Sequence, residues 1–273
     1  MNYSAGIIYN KSKANAKKLA YEIADWLKKH KSKGFVCDSV SIKPRKFDFV
    51  LSIGGDGTML KCIRTFAPLN TAIKGINLGS LGFLTDTDTN QVWTLLKDIL
   101  DKDIKVEKRA LLCAEFKYQD RKMRIIAAND FVIRSTNAGK IITVDVSIDK
   151  KITTEYKCDG MIVATPTGST AYSLAALGPI VYPDLSVFIL NPISPHTLTQ
   201  RPMILSNKND VFLSAYNKNR KGNILISVDG QDNYLISDDI SIRFSLYKKP
   251  LRLIKNCSRP YFETLKKKLN WGL

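Results

Sequence analysis

Hydrophobic positions recur along this chain at two different periods, and the period changes near residue 103. Before that point, Ala5-Gly6-Ile7-Ile8-Tyr9 predicts a short buried strand. Ala16, Leu19, Ala20, Ile23, Ala24 and Leu27 then recur at three- and four-residue spacing, which predicts an amphipathic helix over 12–31. Residues 47–53 form a second β-type run, ending at Gly54-Gly55-Asp56-Gly57, and 58–66 read as helical. A third apolar run, 71–78, is broken by Gly79 and Gly82, and Val92, Leu95, Leu96 and Ile99 line one face of another helix. Strand and helix alternating at this pace predict a parallel sheet covered by helices.

Past residue 103 the pattern becomes short runs rich in Val, Ile, Phe, Tyr and Thr, at 111–118, 123–134, 141–149, 160–165, 186–190, 210–215, 223–228 and 240–247. Asn137-Ala138-Gly139, Asn217-Lys218-Asn219 and Asp229-Gly230 punctuate them as turns. One helix is expected to interrupt this half, starting near Ser169 and ending before Gly178-Pro179, and 261–273 reads as a short terminal helix. The expected organisation is an α/β domain over 1–102 carrying the glycine-rich turn, a β-rich domain over 103–255, and a tail, 256–273, returning to the N-terminal domain. No internal repeat and no low-complexity linker separates the parts.

Composition narrows the class. The chain has 273 residues, 44% of them hydrophobic and 25% charged, which is the balance of a folded globular protein and not of a disordered one. Lys+Arg number 42 against 25 Asp+Glu, a formal net charge of +17. The basic residues are spread along the chain and the densest runs, Lys28-Lys29-His30-Lys31 and Lys266-Lys267-Lys268, fall in stretches that read as solvated helix. A lysine-rich surface that attracts anionic ligands accounts for this better than a nucleic-acid face would, and no nucleic-acid partner is expected. The five cysteines are odd in number, scattered and never spaced Cys-x-x-Cys, so neither a disulfide framework nor a thiolate metal site is expected, and a cytoplasmic, reducing compartment fits. No signal peptide is evident at Met1-Asn2-Tyr3-Ser4. The long uncharged stretch that includes 161–182 carries Pro166, Gly168, Gly178, Pro179 and several hydroxyl residues, so no membrane span is expected.

Two segments carry candidate chemistry. Gly54-Gly55-Asp56-Gly57-Thr58 lies between an apolar strand and a helix. Glycines let a polyphosphate approach the backbone, and free N–H groups at the helix start favour phosphate oxygens. A carboxylate there would repel phosphate, so Asp56 makes sense as a group that organises Mg²⁺ or receives a proton from an attacking hydroxyl; the plainer alternative is a helix cap. Neither a Walker-type loop nor a Gly-x-Gly-x-x-Gly fingerprint is present. The second segment, 159–173, runs from a buried strand into a turn with five Ser or Thr between 165 and 173. As a cluster at a strand-to-helix switch these hydroxyls suit the edges of ribose and adenine. Asn129-Asp130, inside the apolar run 125–133, can donate to and accept from a pair of ribose hydroxyls or can mark a bulge; Gln231 follows the Asp229-Gly230 turn. His30 and His196 assemble no nucleophile–His–acid set.

Gly54-Gly55-Asp56-Gly57-Thr58, Gly75-Ile76-Asn77-Leu78-Gly79-Ser80-Leu81-Gly82-Phe83-Leu84 and the segment 159–183, in that order, resemble the NAD kinase family. Residues 192–202 and Asp229-Gly230-Gln231 match further family segments, so the likeness covers nearly the whole chain. The resemblance implies the NAD kinase/diacylglycerol kinase-like fold: an α/β N-terminal domain with a parallel sheet, a C-terminal β-rich domain, and an active site in the cleft between them. It implies transfer of the γ-phosphate of ATP to the 2′-hydroxyl of the adenosine ribose of NAD, giving NADP. Asp56 would be the catalytic base, or the organiser of Mg²⁺ and hydroxyl, with Gly57 beside it and Lys61 as a basic contact. Asn129 and Asp130 would hold a ribose, Lys140 would be a basic contact after them, and Lys157 and Asp159 would contact the dinucleotide. Thr170, Ala171, Tyr172, Ser173, Leu174 and Ala175 would line its pocket, and Gln231 would supply a late polar contact. Mg²⁺ or another divalent metal would be held mainly by the ATP phosphates, and relatives suggest a homodimer or homotetramer.

Ser194 stands where many relatives have Cys, Gln200 where many have His, and Lys157 where Arg is also found, which leaves the treatment of NADH open. A lipid kinase of the diacylglycerol type on the same scaffold is the alternative, because the Gly-Gly-Asp-Gly-Thr motif is shared with it. That alternative leaves the hydroxyl-rich cluster unexplained and lacks a membrane-binding amphipathic segment.

Overall fold

The computed structural model describes residues 2–79, 81–137, 141–217, 223–237, 239–255 and 260–272. The chain begins with β1 (Ser4–Tyr9), α1 (Ala16–Lys29), β2 (Lys33–Asp38), β3 (Phe49–Gly54), α2 (Asp56–Phe66), β4 (Ala72–Asn77), β5 (Thr87–Asp88), α3 (Val92–Asp101) and β6 (Lys105–Arg109). It continues through β7 (Leu112–Tyr118), β8 (Arg121–Ala127), β9 (Asp130–Ser135), β10 (Ile142–Ile148), β11 (Lys151–Cys158) and β12 (Gly160–Ala164). Then come the one-turn α4 (Tyr172–Ala175), β13 (Val187–Ile193), β14 (Met203–Ser206), β15 (Val211–Tyr216), β16 (Ile224–Val228), β17 (Asp232–Ile236), β18 (Ile240–Leu246), β19 (Leu251–Lys255) and α5 (Tyr261–Leu269). None of the helices is long and apolar enough to cross a membrane among the described residues.

Two compact units result, Met1–Lys108 with Lys249–Leu273, and Arg109–Lys248. In the first, a sheet runs in the order β2-β1-β3-β4-β19-β6 with β5 beside β4. The pairings of β1 with β2 and β3, of β3 with β4, and of β4 with β5 and β19 are parallel. β3 and β4 are buried along their whole length, as strands covered on both faces must be. α1 lays Ala16, Ala20, Ile23 and Leu27 on the sheet, a stripe at helical spacing. Lys74 is the exception in this core. Its side chain is 1% exposed and its ammonium sits 2.6 Å from Asp86, whose side chain is 25% exposed. A lysine buried this deeply persists only when paired.

The second unit is two antiparallel six-stranded sheets, β11-β10-β15-β18-β7-β8 and β14-β13-β12-β9-β16-β17. Their inner faces share one core, with Phe116, Val144, Leu213 and Phe244 from one sheet meeting Phe131, Ile133, Met161 and Phe188 from the other. On the outer face of the second sheet, Val132, Ile162, Ala164 and Ile189 form a separate small cluster with Val181.

The boundaries expected at 102/103 and 255/256 need correction. β6 and β19 belong to the first sheet, and β19 reaches it by pairing Arg252 with Ala72 and Leu253 with Ile73. The first unit therefore closes its sheet with a strand from beyond the β-rich segment, a long-range pairing that local periodicity does not encode. The apolar run 123–134 is two strands, β8 and β9, broken at Ala128-Asn129. The helix expected from Ser169 is a 3₁₀ turn at Thr167–Thr170 followed by α4.

Candidate active site

The first constellation stands at the junction of β3 and α2. Asp56 opens α2, and its carboxylate does not cap that helix. Instead it accepts four hydrogen bonds from the loop before β5. Phe83 N–H donates to Oδ2 at 2.9 Å, and Leu84 N–H and Thr85 N–H donate to Oδ1 at 3.2 and 3.1 Å. The Thr85 hydroxyl donates to Oδ1 at 3.0 Å. The loop can come this close because residue 82 is glycine: a Cβ there would overlap Asp56 Oδ1 and Thr85 Oγ1. Asp56 remains half-buried, Gly57 is exposed, and Lys61 lies one turn further along α2, also half-buried. Phe83 is in turn packed by α5, with the Tyr261 ring 6.5 Å away and the Lys268 ammonium 4.8 Å from its centroid. A cavity of about 640 Å³ in the same unit is lined by Asn15, Lys18, Asn77, Gly79, Asp88 and Thr89 among others, at the carboxyl end of β4.

The second constellation is on the outer face of the second β-sheet. Asp130, Val132 and Arg134 alternate outward along β9 and line a cavity of about 510 Å³ with Asn129, Ala171, Tyr172, Ser227, Asp229, Gly230 and Asn233. Asp130 is 3% exposed and Asp229 is 7% exposed. Burial, and then the neighbouring Asp229 charge, push the Asp130 carboxyl up to about 7. Asp229 accepts three backbone N–H groups: Asn129 at 2.7 Å and Asp130 at 3.2 Å on Oδ1, and Ala128 at 3.2 Å on Oδ2. Its own N–H donates to the Asp130 carbonyl at 2.9 Å. Asp229 and Gly230 both have positive φ, 50° and 64°, which an Asp-Gly turn tolerates.

The turn 165–169 packs on the same pair. Thr165 N–H donates to the Asn129 carbonyl at 2.9 Å, and its hydroxyl donates to the Ala128 carbonyl at 2.5 Å. A Cβ on Gly168 would overlap the Asn129 carbonyl, so this close approach too requires glycine. The hydroxyl cluster therefore needs a different reading from the one its composition suggested. Thr165, Ser169 and Ser173 are fully buried and Thr167 nearly so. The Ser169 hydroxyl donates to the Pro166 carbonyl at 2.6 Å and accepts from Val181 N–H at 3.0 Å. Asn191 donates to the Ser173 carbonyl and hydroxyl at 2.9 and 3.2 Å. These side chains build the turn. Thr170 stays half-buried at its edge, its hydroxyl 3.3 Å from the Thr167 carbonyl.

Among the residues singled out from the sequence, Asn129, Asp130, Ala171 and Tyr172 thus share one cavity. Tyr172 and Ala175 line a second one, about 610 Å³, with Asn191, Gln200 and Arg201. Leu174 is half-buried between them in α4, and Gln231 is half-buried directly after the Asp229-Gly230 turn. Lys157 and Asp159 are exposed and line neither cavity; the Lys157 ammonium lies 3.8 Å from Glu155. Lys140 lies outside the described residues. Sequence reasoning passed over Asp229 and Thr85. Asp229 sits in an Asp-Gly turn signal, and Thr85 directly follows the motif ending at Leu84. The signal that could have found both is a short polar residue next to a motif that must be held still. The described residues contain no cluster of three or more His, Cys, Asp or Glu able to hold a metal.

The sequence pattern of the ATP-NAD kinase N-terminal domain matches residues 38–104, and that of the ATP-NAD kinase C-terminal domain matches 128–256. The chain is 33% identical to an NAD kinase of Geotalea daltonii over 93% of both chains. It is 39% identical to an NAD kinase of Campylobacter jejuni over 82% of this chain and 77% of that one. Among solved structures, an Archaeoglobus fulgidus NAD kinase in complex with ATP aligns over 99% of both chains, with a TM-score of 0.78 and 27% identity. Yeast NADH kinase complexed with NADH shares the fold, with a TM-score of 0.86 at 22% identity over 99% of this chain and 88% of that one. The lipid-kinase alternative finds no support among these relatives. With both domain patterns present in order and relatives this similar over most of its length, the chain belongs to the ATP-NAD kinase family.

Proposed function

We propose that this ATP-dependent NAD kinase carries out its transfer with Asp56 as the group that orients the 2′-hydroxyl of the adenosine ribose and receives its proton. As the new O–P bond forms, the bond between the γ-phosphorus and the β–γ bridging oxygen breaks and ADP leaves. Phosphoryl transfer needs positioning and charge neutralisation more than covalent help, so a carboxylate fixed in one orientation is the fitting device. The observation that carries this reading is the four-donor cradle around Asp56, which fixes both carboxylate oxygens. Asn129 and Asp130 hold a ribose of the dinucleotide, Tyr172 and the residues from Thr170 to Ala175 flank it, and Lys61, Gly57, Lys157, Asp159 and Gln231 supply further contacts. Lys140 is proposed on the resemblance alone.

Mg²⁺ is usually held by one or two carboxylates together with substrate phosphates. Asp56 fits that pattern, since among the described residues Oδ2 accepts a single hydrogen bond. The metal would supply charge neutralisation on the transferred phosphoryl group. A cytoplasmic setting is proposed from the cysteines, four of which are free among the described residues, three of them buried. A homodimer or homotetramer is proposed from the family likeness.

The test is to incubate purified protein with Mg²⁺, ATP and NAD and to couple NADP formation to an NADP-specific dehydrogenase. Polyphosphate, NADH and a diacylglycerol are run in parallel. Wild-type turnover that D56N lowers by ~10²-fold or more, with NAD binding retained in calorimetry, supports the assignment. Near-normal turnover by D56N removes it.

A further inference from the structure

We propose that Asp229 is a positioning residue for the phosphoryl acceptor: its carboxylate gathers the backbone N–H groups of Ala128, Asn129 and Asp130 and so sets how the Asn129-Asp130 pair meets the ribose. The inference rests on the reading that this pair holds the dinucleotide.

The chain breaks its strand pairing at the very place where a site is needed. β8 ends at Ala127 and β9 begins at Asp130, and the amides of Ala128, Asn129 and of Asp130 itself find their partner outside the ladder. Buried N–H groups left unpaired are costly, and one carboxylate from the β16–β17 turn takes all three. The positive φ of Asp229 and Gly230 aims that carboxylate back across the end of β9. On the other flank, the Thr165 N–H and hydroxyl hold the carbonyls of Asn129 and Ala128. The pair is therefore clamped through its backbone from both sides, leaving the side chains to line the cavity.

The clamp has an electrostatic consequence that a purely structural role lacks. Among the residues lining the cavity, the groups with charge or titrating protons are Asp130, Asp229, Arg134 and Tyr172. Arg134 is four residues along β9 from Asp130, exposed at the far end of the cavity. Asp229 is the near charge, and it opposes ionisation of Asp130. An ionised carboxylate accepts from a pair of ribose hydroxyls more strongly than a protonated one, so NAD affinity should rise with pH through the neutral range, where burial and then the Asp229 charge together place the Asp130 carboxyl.

Calorimetric titration of NAD between pH 6 and 8, with steady-state kinetics beside it, tests this on wild type, D229N and D130N. D229N keeps the size of the side chain but faces one amide with an NH₂ group. The expected result for D229N is a KM for NAD raised tenfold or more at pH 8 with kcat within about threefold of wild type, together with a flatter affinity–pH profile. If D229N does not fold, D229S, which keeps one acceptor and removes the charge, is read the same way. A wild-type affinity that is constant between pH 6 and 8 overturns the proposal, as does D229N with unchanged KM or an unchanged profile. If D130N also binds NAD normally, the failure belongs to the ribose reading; if D130N is weakened while D229N is not, only the role of Asp229 falls.

Discussion

Thr85 donates twice to the same oxygen of Asp56, through its backbone N–H at 3.1 Å and its hydroxyl at 3.0 Å. With Phe83 and Leu84 adding their amides, the loop 83–85 closes around a carboxylate that stands on the first turn of α2. The same side chain thus ties a loop down and faces the chemistry proposed for it. Substitutions here should separate the two roles.

D56N should lower turnover by ~10²–10⁴-fold, because an amide cannot accept the proton of the attacking hydroxyl. It should also lower stability by about 1–3 kcal/mol, since one loop donor would face an NH₂ group. T85V removes only the hydroxyl and should cost about 1 kcal/mol, with turnover reduced far less. Steady-state kinetics and chemical denaturation on the two variants read both effects. Equal losses of turnover in D56N and T85V would mean that Asp56 acts only as a loop anchor.

G82A should behave as a displacement of the carboxylate. The added methyl would occupy the space of Asp56 Oδ1 and Thr85 Oγ1, so the loop must move. A shift of about 1 Å at a reacting group can reduce turnover on the order of 10²-fold. The clash lies wholly within the first unit, so NAD binding at the Asn129-Asp130 cavity should persist. Kinetics combined with calorimetry check this, and normal turnover in G82A would show that the loop yields freely.

Lys74 and Asp86 predict an asymmetry. Lys74 is buried and Asp86 is partly exposed, with 2.6 Å between them. D86A takes a carboxylate from a buried ammonium and should destabilise by about 3–5 kcal/mol. K74M fills the same volume with an apolar chain and leaves Asp86 near water, so its cost should be clearly smaller. Thermal unfolding of the two variants decides it. A K74M protein less stable than D86A contradicts the account of this pair.

Much of this was legible in the sequence because it is local. The runs around β1, β3 and β4, the spacing in α1 and α3, and Gly54-Gly55-Asp56 all carry their structure in neighbouring residues. β6 and β19 were misassigned because their partners lie in the first sheet, and pairing across the length of a chain leaves no period to read. β11, reading Lys-Ile-Thr-Thr-Glu-Tyr-Lys-Cys, is polar enough to pass for a loop, yet seven pairings with β10 make it a strand. In the site, residue types were a better guide than their use. A row of Ser and Thr advertises hydrogen bonding, but only the fold decides whether a ligand or the turn itself receives it. Thr165 and Ser169 spend theirs on Ala128, Pro166 and Val181.

The Asp130 carboxyl makes the stability of the unliganded protein depend on pH with a defined sign. Its ordinary value is 3.8, and in the folded chain burial and the Asp229 charge raise it to about 7. Between those values the folded chain holds a proton that the unfolded chain has released. The stabilisation from this group is therefore complete below 3.8 and is lost as pH rises through about 7. D130N has no such proton to hold. Its stability relative to wild type should improve on going from pH 5 to pH 8, by an amount on the order of a few kcal/mol. Titrating groups remote from Asp130 are common to both proteins and cancel in the difference. Unfolding curves measured in parallel at pH 5, 6, 7 and 8 give that difference directly. A gap between D130N and wild type that stays constant, or that widens in favour of wild type as pH rises, means Asp130 is already ionised in the folded protein near pH 5.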